Sequence, residues 1–157
     1  MADAMTGERG ATDLARRCAE AMWAEDAASQ RLGMTIEAVG PGTATLAMTV
    51  TEAMVNGHGT CHGGFIFALA DSAFAFACNS YNQRTVAQHC AISFLAPGRR
   101  GDVLTATAEE RARAGRGGIY DVRVTNQDGE VIAEFRGHSR AILGRLVPED
   151  DERESPP

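Results

Sequence analysis

A single carboxylate, Asp71, stands in the otherwise almost unbroken apolar stretch Phe65 to Cys78, which reads Phe-Ile-Phe-Ala-Leu-Ala-Asp-Ser-Ala-Phe-Ala-Phe-Ala-Cys. A charge in apolar surroundings must be paired, hydrogen-bonded or neutralised, and a carboxylate under such strain is a common device for acid-base or nucleophilic chemistry. The bland alternative is a structural acid that caps a turn or pairs with an arginine. Just upstream lies Asn56-Gly57-His58-Gly59-Thr60-Cys61-His62-Gly63-Gly64, polar and rich in glycine, leading straight into the helix that would carry Asp71. A helix N-terminus presents unpaired N–H groups and the positive end of the macrodipole. An anion-binding helix start followed by a buried acid points to hydrolysis at a carbonyl.

Rival chemistries are poorly served. His58, Cys61 and His62 have the donor atoms for a metal, but the glycines between them spoil a helical ligand pair and no fourth ligand stands nearby, so no metal is expected. No G-x-S-x-G elbow occurs, which removes the serine-hydrolase reading. The net charge of -6 and the lack of a basic stripe argue against a nucleic-acid partner. Four cysteines without framework spacing, and no charged-then-apolar leader, suggest a reducing cytoplasm. The apolar stretch would span only about 21 Å as a helix, too short for a bilayer, so no membrane partner is expected.

The elements that must position these residues read as one domain of 157 residues. Residues 1–12 and 147–157 are too polar to offset their ordering entropy and are expected as a flexible N-terminal tail and a disordered acidic C-terminal tail around a domain spanning 13–146. From Thr12 to Leu32, Leu14, Cys18 and Met22 recur every four positions, the stripe of an amphipathic helix, with Gly33 as its stop. A hairpin follows, Met34 to Val39 and Thr43 to Val50 around Gly40-Pro41-Gly42. The apolar helix around Asp71, hydrophobic on all sides, must be wrapped by other elements. Strands at Val86 to Leu95, Val103 to Ala112, Ile119 to Thr125 and Val131 to Leu143, separated by strong turn signals, read as an antiparallel meander. Segregated helices with an antiparallel sheet make an α+β fold.

The segment Met54 to Gly64, followed by Ala68-Leu69-Ala70-Asp71-Ser72-Ala73-Phe74-Ala75, resembles the hotdog-fold acyl-CoA thioesterases of the phenylacetate-degradation type, the PaaI-like family. The resemblance extends to Phe94-Leu95-Ala96-Pro97-Gly98, to Gly101 through Thr107 and to Phe135-Arg136-Gly137. It implies a long central helix wrapped by a six-stranded antiparallel sheet, and hydrolysis of acyl-CoA thioesters, often with aromatic acyl groups such as phenylacetyl or hydroxyphenylacetyl. It also implies homodimers that pair into tetramers, with no cofactor beyond the coenzyme A of the substrate.

The site roles follow from the residues and the resemblance together. Asp71 attacks the thioester carbonyl or takes a proton from the water that does, and the sequence leaves both open. The Gly63 amide would stabilise the oxyanion, with Gly64 beside it letting substrate come close. Asn56 holds the attacking water or the carbonyl, or is an ordinary turn asparagine. His62 orients or hydrogen-bonds near the site. Ser72 is a weak substrate-binding candidate whose plain alternative is bonding back to a carbonyl one turn earlier. Arg99, Arg100, Arg113 and Arg116, at strand ends, are surface charge or hold the phosphates of coenzyme A. Gly63 and Asp71 lie about 12 Å apart along one helix, too far to act on one carbonyl, so two chains are expected to share each site. The alternatives in kind are a hotdog hydratase or dehydratase and a non-catalytic acyl-CoA-binding sensor.

Overall fold

The computed structural model describes residues 2–149, with side chains from residue 7. Helix α1 runs Ala2–Glu25 and α2 Ala27–Arg31. Strands β1 (Thr35–Gly40) and β2 (Thr43–Thr49) form a hairpin, and a 3-10 turn at Glu52–Met54 leads toward α3 (Gly63–Cys78). Strands β3 (Thr85–Phe94), β4 (Val103–Ala114), β5 (Gly117–Thr125) and β6 (Val131–Ala141) follow. All six strands join one antiparallel sheet in the order β1-β2-β4-β5-β6-β3, with α3 packed across its inner face. Among the described residues no helix is long and apolar enough to cross a membrane.

Period-2 patterning explains the inner face. Ala44, Leu46 and Met48 of β2, Leu104, Ala106 and Ala108 of β4, and Tyr120, Val122 and Val124 of β5 all point inward and are buried. Against them α3 buries Ile66, Leu69, Ala70, Ala73, Phe74, Phe76 and Ala77. The alanines of β4 and α3 keep helix and sheet close, while Phe74 fills the space over Gly137 of β6. A Cβ at Gly137 would lie 2.8 Å from the Phe74 ring.

Four expectations are corrected. First, the strands after α3 are not one meander. β4, β5 and β6 are, but β3 pairs with β6 at the far edge, from Thr85 opposite Ala141 to Phe94 opposite Ala133. The place beside β4 is taken by β2, in register from Thr43–Glu109 to Thr49–Val103. Ala96-Pro97-Gly98, read from sequence as a hairpin turn, is instead a crossover held by Cys61 N–H on the Gly98 carbonyl and Val50 N–H on the Asp102 carbonyl, each at 2.8 Å. Local turn chemistry is the same for a hairpin and a crossover, so only the long-range pairing separates them.

Second, residues 2–12 are not a tail but the first turns of α1. Once Ala15, Cys18 and Ala19 are packed, extending the helix adds one bond per residue fixed, and the helix runs on through Gly7 and Gly10 despite their low propensity. Asp13 and Glu20 flank Arg16 on its exposed face. Third, the single helix expected to Leu32 breaks at Asp26, whose carboxylate accepts from the Ser29 amide at 2.9 Å and its hydroxyl at 2.6 Å, capping α2. Fourth, the chain stays tied past residue 146. The buried Asn82 donates to the Val147 carbonyl and accepts from the Leu146 and Val147 amides, each at 2.9 Å, while Arg17 donates to the Pro148 carbonyl at 3.2 Å. The rest of the expected C-terminal tail, 150–157, lies outside the described residues.

Because the Phe74 ring already occupies the space above Gly137, Gly137→Ala is expected to destabilise the fold by about 1–3 kcal/mol, the usual cost of overpacking. Urea unfolding of the variant beside the parent chain measures it, and an unchanged midpoint would show that Phe74 can move aside.

Candidate active site

The start of α3 is built by the loop before it. Val55 and Cys61 form an isolated bridge, and the His62 amide donates to the Met54 carbonyl at 2.8 Å. Inside that closure Asn56 organises the turn. Its Oδ1 accepts from the His58 amide at 2.9 Å and from the Thr60 amide and hydroxyl, each at 3.3 Å. Gly59, at φ +77°, supplies the left-handed conformation the turn needs. Asn56 thus has the turn role weighed from the sequence, while its Nδ2 donates to no other described residue.

His62 is the N-cap of α3. Its Nδ1 accepts from the Gly64 amide at 2.9 Å, so the neutral ring carries its proton on Nε2. The Phe65 amide bonds back to the His62 carbonyl at 3.0 Å. With those two amides satisfied, the Gly63 N–H is the first-turn donor with no partner among the described residues. Its α-carbon lies beneath the ring of Phe94, which an added Cβ would approach to 2.8 Å. Phe94 is 53% exposed, an aromatic wall beside the open amide.

Asp71 sits two turns along α3, half-buried. Burial pushes its carboxyl above the usual range, and one hydrogen bond opposes that push. The bond comes from Cys90 of β3, whose thiol donates to Oδ1 across 3.9 Å. No arginine or lysine pairs with Asp71 among the described residues, so the ion-pair alternative finds no partner. All four cysteines are free thiols.

The remaining candidates separate. Ser72 neither faces the loop nor bonds back along its own helix: its hydroxyl lies 2.9 Å from that of Ser29, which in turn donates to Asp26, so Ser72 ties α3 to α2. Serine spacing on a helix carries no sign of such a distant partner. Arg99 and Arg100 lie on the crossover beside the loop, Arg100 being 3.7 Å from Glu52. Arg113 and Arg116 lie at the other end of α3. Arg113 stacks 3.6 Å over the Tyr81 ring, and Arg116 directs Nε and Nη2 to the Ala141 carbonyl. The four arginines therefore form two pairs at opposite ends of the helix.

Cys90 and Phe94 reach the site although neither has a site role legible in the sequence, Phe94 standing only within a segment of the resemblance. Phe94 ends β3 and touches the helix start only because β3 lies at the sheet edge over α3. Cys90 faces α3 because of an irregularity in β3 that alternation does not reveal.

Capping accounts for a measurable part of the helix. His62→Ala is expected to cost about 1 kcal/mol in chemical denaturation and His62→Asn to return most of it, since asparagine is a strong N-cap. Equal stability of all three proteins would remove the cap from the account of α3.

Comparison with known proteins identifies the family. The Thioesterase superfamily profile matches residues 58–133. The acyl-coenzyme A thioesterase PaaI of Escherichia coli (strain K12) is 47% identical over 131 residues, covering 83% of this chain and 94% of the relative. The structure of the E. coli PaaI protein from the phenylacetic acid degradation operon superposes with a TM-score of 0.84 at 46% identity, covering 85% of this chain and 97% of that one. A hypothetical thioesterase of Streptococcus pneumoniae, solved with coenzyme A, superposes with a TM-score of 0.69 at 26% identity, covering 71% and 88%. This chain belongs to the thioesterase superfamily and is a thioester hydrolase of the hotdog fold.

Proposed function

We propose that the chain hydrolyses acyl-CoA thioesters, with aryl-acyl groups of the phenylacetyl or hydroxyphenylacetyl type preferred, at sites shared between two chains. The observation that carries the reading is the pairing of an unpartnered first-turn amide at Gly63 with a half-buried carboxylate at Asp71 on the same helix. The carboxylate attacks the carbonyl carbon itself, or removes a proton from the water that attacks. In either course the carbonyl oxygen gains negative charge that the Gly63 N–H stabilises, the C–S bond breaks, and the coenzyme A thiolate departs to be protonated; in the first course water then hydrolyses the mixed anhydride, releasing the free acid and restoring the carboxylate. In this reading the Asn56 Nδ2 group, which donates to no other described residue, holds the water or the carbonyl.

Aryl preference is supported by the half-exposed ring of Phe94 over Gly63, with Phe65 set edge-on to His62 at 6.2 Å between centroids. Phe74 and Phe76 are buried in the core and Phe67 packs on Phe135, so these rings are less suited to line the pocket. Arg99 and Arg100, beside the loop and exposed, suit the phosphates of coenzyme A better than Arg113 and Arg116. The comparison with the streptococcal protein solved with coenzyme A supports the same ligand class. Four free thiols suit a reducing compartment, the cytoplasm.

Two features support the shared site. β3 is an edge strand of ten residues, most of them exposed, which is a template for pairing with another strand. On α3, Gly64, Ala68, Asp71 and Ala75 follow helical spacing along the strip the sheet leaves uncovered. Apart from Asp71 these four positions carry no more than a methyl group, with Phe67 and Ser72 partly exposed beside them, so a second α3 can approach along this line in the opposite direction. That arrangement spans the roughly 12 Å between Gly63 and Asp71 that one helix imposes. Pairing of such dimers into a tetramer belongs to the same proposal.

Asp71→Asn keeps the shape and removes the charge. Thiol release from phenylacetyl-CoA is expected to fall by about a hundredfold or more, the scale of losing a general base. The sign of the stability change is worked from the raised carboxyl: the folded chain binds this proton more tightly than the unfolded chain. The ionised form therefore destabilises the fold above the folded-state pKa, and that penalty is relieved as pH falls toward the unfolded value. Asparagine should leave the melting temperature at neutral pH equal or higher. A folded variant with undiminished turnover would make Asp71 structural, and a panel of acyl-CoA esters in the same assay reads the acyl preference. A dehydratase would alter the acyl chain without freeing thiol, and a sensor would bind without turnover.

Mixing a Gly63→Val chain with an Asp71→Asn chain is expected to restore activity, because each mixed dimer keeps one site with both groups intact. Verified mixed dimers without activity, or an active monomer, would overturn the shared site.

A further inference from the structure

Asp71 accepts one side-chain hydrogen bond among the described residues, and the donor reaches it through a defect in a strand. The β3–β6 register passes from Ala87–Ser139 to His89–His138, leaving Gln88 as an extra residue in β3. Cross-strand partners share a face, and Ser139 and Gly137 are buried on the α3 side. Plain alternation from Ala87 would turn Cys90 to the outer face. The bulge resets the phase, so Cys90, opposite Gly137, points at α3 and its Sγ lies 3.9 Å from Asp71 Oδ1.

We propose that Cys90 is a positioning residue for thioester hydrolysis, its thiol holding the Asp71 carboxylate in one orientation toward the reacting carbonyl. It acts through Asp71 and need not touch substrate, and the inference rests on the reading of Asp71 as the attacking or basic group. Burial and the adjacent carboxylate push the Cys90 thiol up to about 11, so it stays a neutral donor at working pH. A donor to the charged form favours that form, opposing the burial that pushes Asp71 upward. The other titratable groups toward Asp71 are few. Cys78, two turns along α3, is pushed up to about 12, and Tyr120 from β5 is raised by burial and bonded to Glu110. Asp26 of α2 stands behind the Ser29 and Ser72 hydroxyls. β2 and β4 turn apolar side chains to α3, and β6 presents Phe135, Gly137 and Ser139.

Cys90→Val removes the donor at similar volume on a strand, Cys90→Ala removes it with less bulk should valine fail to fold, and Cys90→Ser keeps a donor. Each is assayed as the full chain with phenylacetyl-CoA, followed by loss of thioester absorbance so that protein thiols do not contribute. The valine or alanine variant is expected to lose threefold to tenfold in kcat, roughly one neutral hydrogen bond, with KM held within about twofold. Its acidic limb in kcat should move to higher pH, and serine should return both quantities most of the way. An unchanged kcat and acidic limb would overturn the proposal, as would equal losses in the serine and donor-free variants. Asp71→Asn run in parallel separates the two readings. If it retains turnover, the reading of Asp71 fails and takes Cys90 with it, whereas an inactive Asp71→Asn beside a wild-type-like donor-free variant sinks the Cys90 inference alone.

Discussion

A helix that is apolar on every side has no stable surface position, and covering α3 is the constraint on which the rest of this structure depends. Its mean composition from Gly63 to Cys78 contains one charge, so water is unfavourable against nearly all of it. The sheet answers by curling round it: β2, β4 and β5 take most of the contact, and β3 and β6 close the far side. That requirement explains why β3 leaves its sequence neighbour β4 and travels to the edge beside β6. A β3 paired next to β4 would displace β2 and leave one flank of α3 bare.

Wrapping one helix with one sheet also decides where chemistry can sit. The covered faces are filled by Ile66, Leu69, Phe74, Phe76 and alanines, and the positions that stay partly exposed hold glycines, alanines, Phe65, Phe67, Ser72 and the single acid. The start of the same helix cannot be buried without partners for its amides. His62 and its own carbonyl satisfy Gly64 and Phe65, and the Asn56 turn fixes where His62 stands. One donor is left over at Gly63. The two features on which the proposed chemistry rests, an amide without a partner among the described residues and a half-buried acid, are thus consequences of how α3 is capped and covered.

Much of this was legible in the sequence because it is local. The turn from Asn56 to Gly64 and the acid eight positions further on are contiguous, so their joint presence on one helix start needed no knowledge of tertiary structure. The hairpin, the later strands and their turns were legible for the same reason, from alternation and glycine placement. What was hidden is what depends on distant partners. Ser72 meets Ser29 across 43 residues, Arg113 stacks on Tyr81 while staying exposed, and Cys90 faces Asp71 only because Gln88 interrupts the alternation of β3. A bulge leaves no dependable mark in composition, since any residue can be the extra one. The helix at residues 2–12 was missed on different grounds. Side chains 7–12 are exposed, and the helix there extends one that residues further along nucleate.

The balance at Asp71 connects stability to reactivity. Burial makes the carboxylate a stronger base and a less comfortable ion, and full desolvation without a donor would keep it protonated and idle. A positive partner such as arginine would overcorrect: it would hold the carboxyl below its usual range and occupy the lone pairs needed for attack. A thiol is a weak, neutral, polarisable donor that takes one lone pair at a long distance and leaves the charge intact. Its own proton is secured by the same burial that raises the acid, so the donor persists wherever the acid is ionised at moderate pH. The cysteine leaves Asp71 between these limits, its carboxyl raised by burial and its charged form supported by one neutral donor.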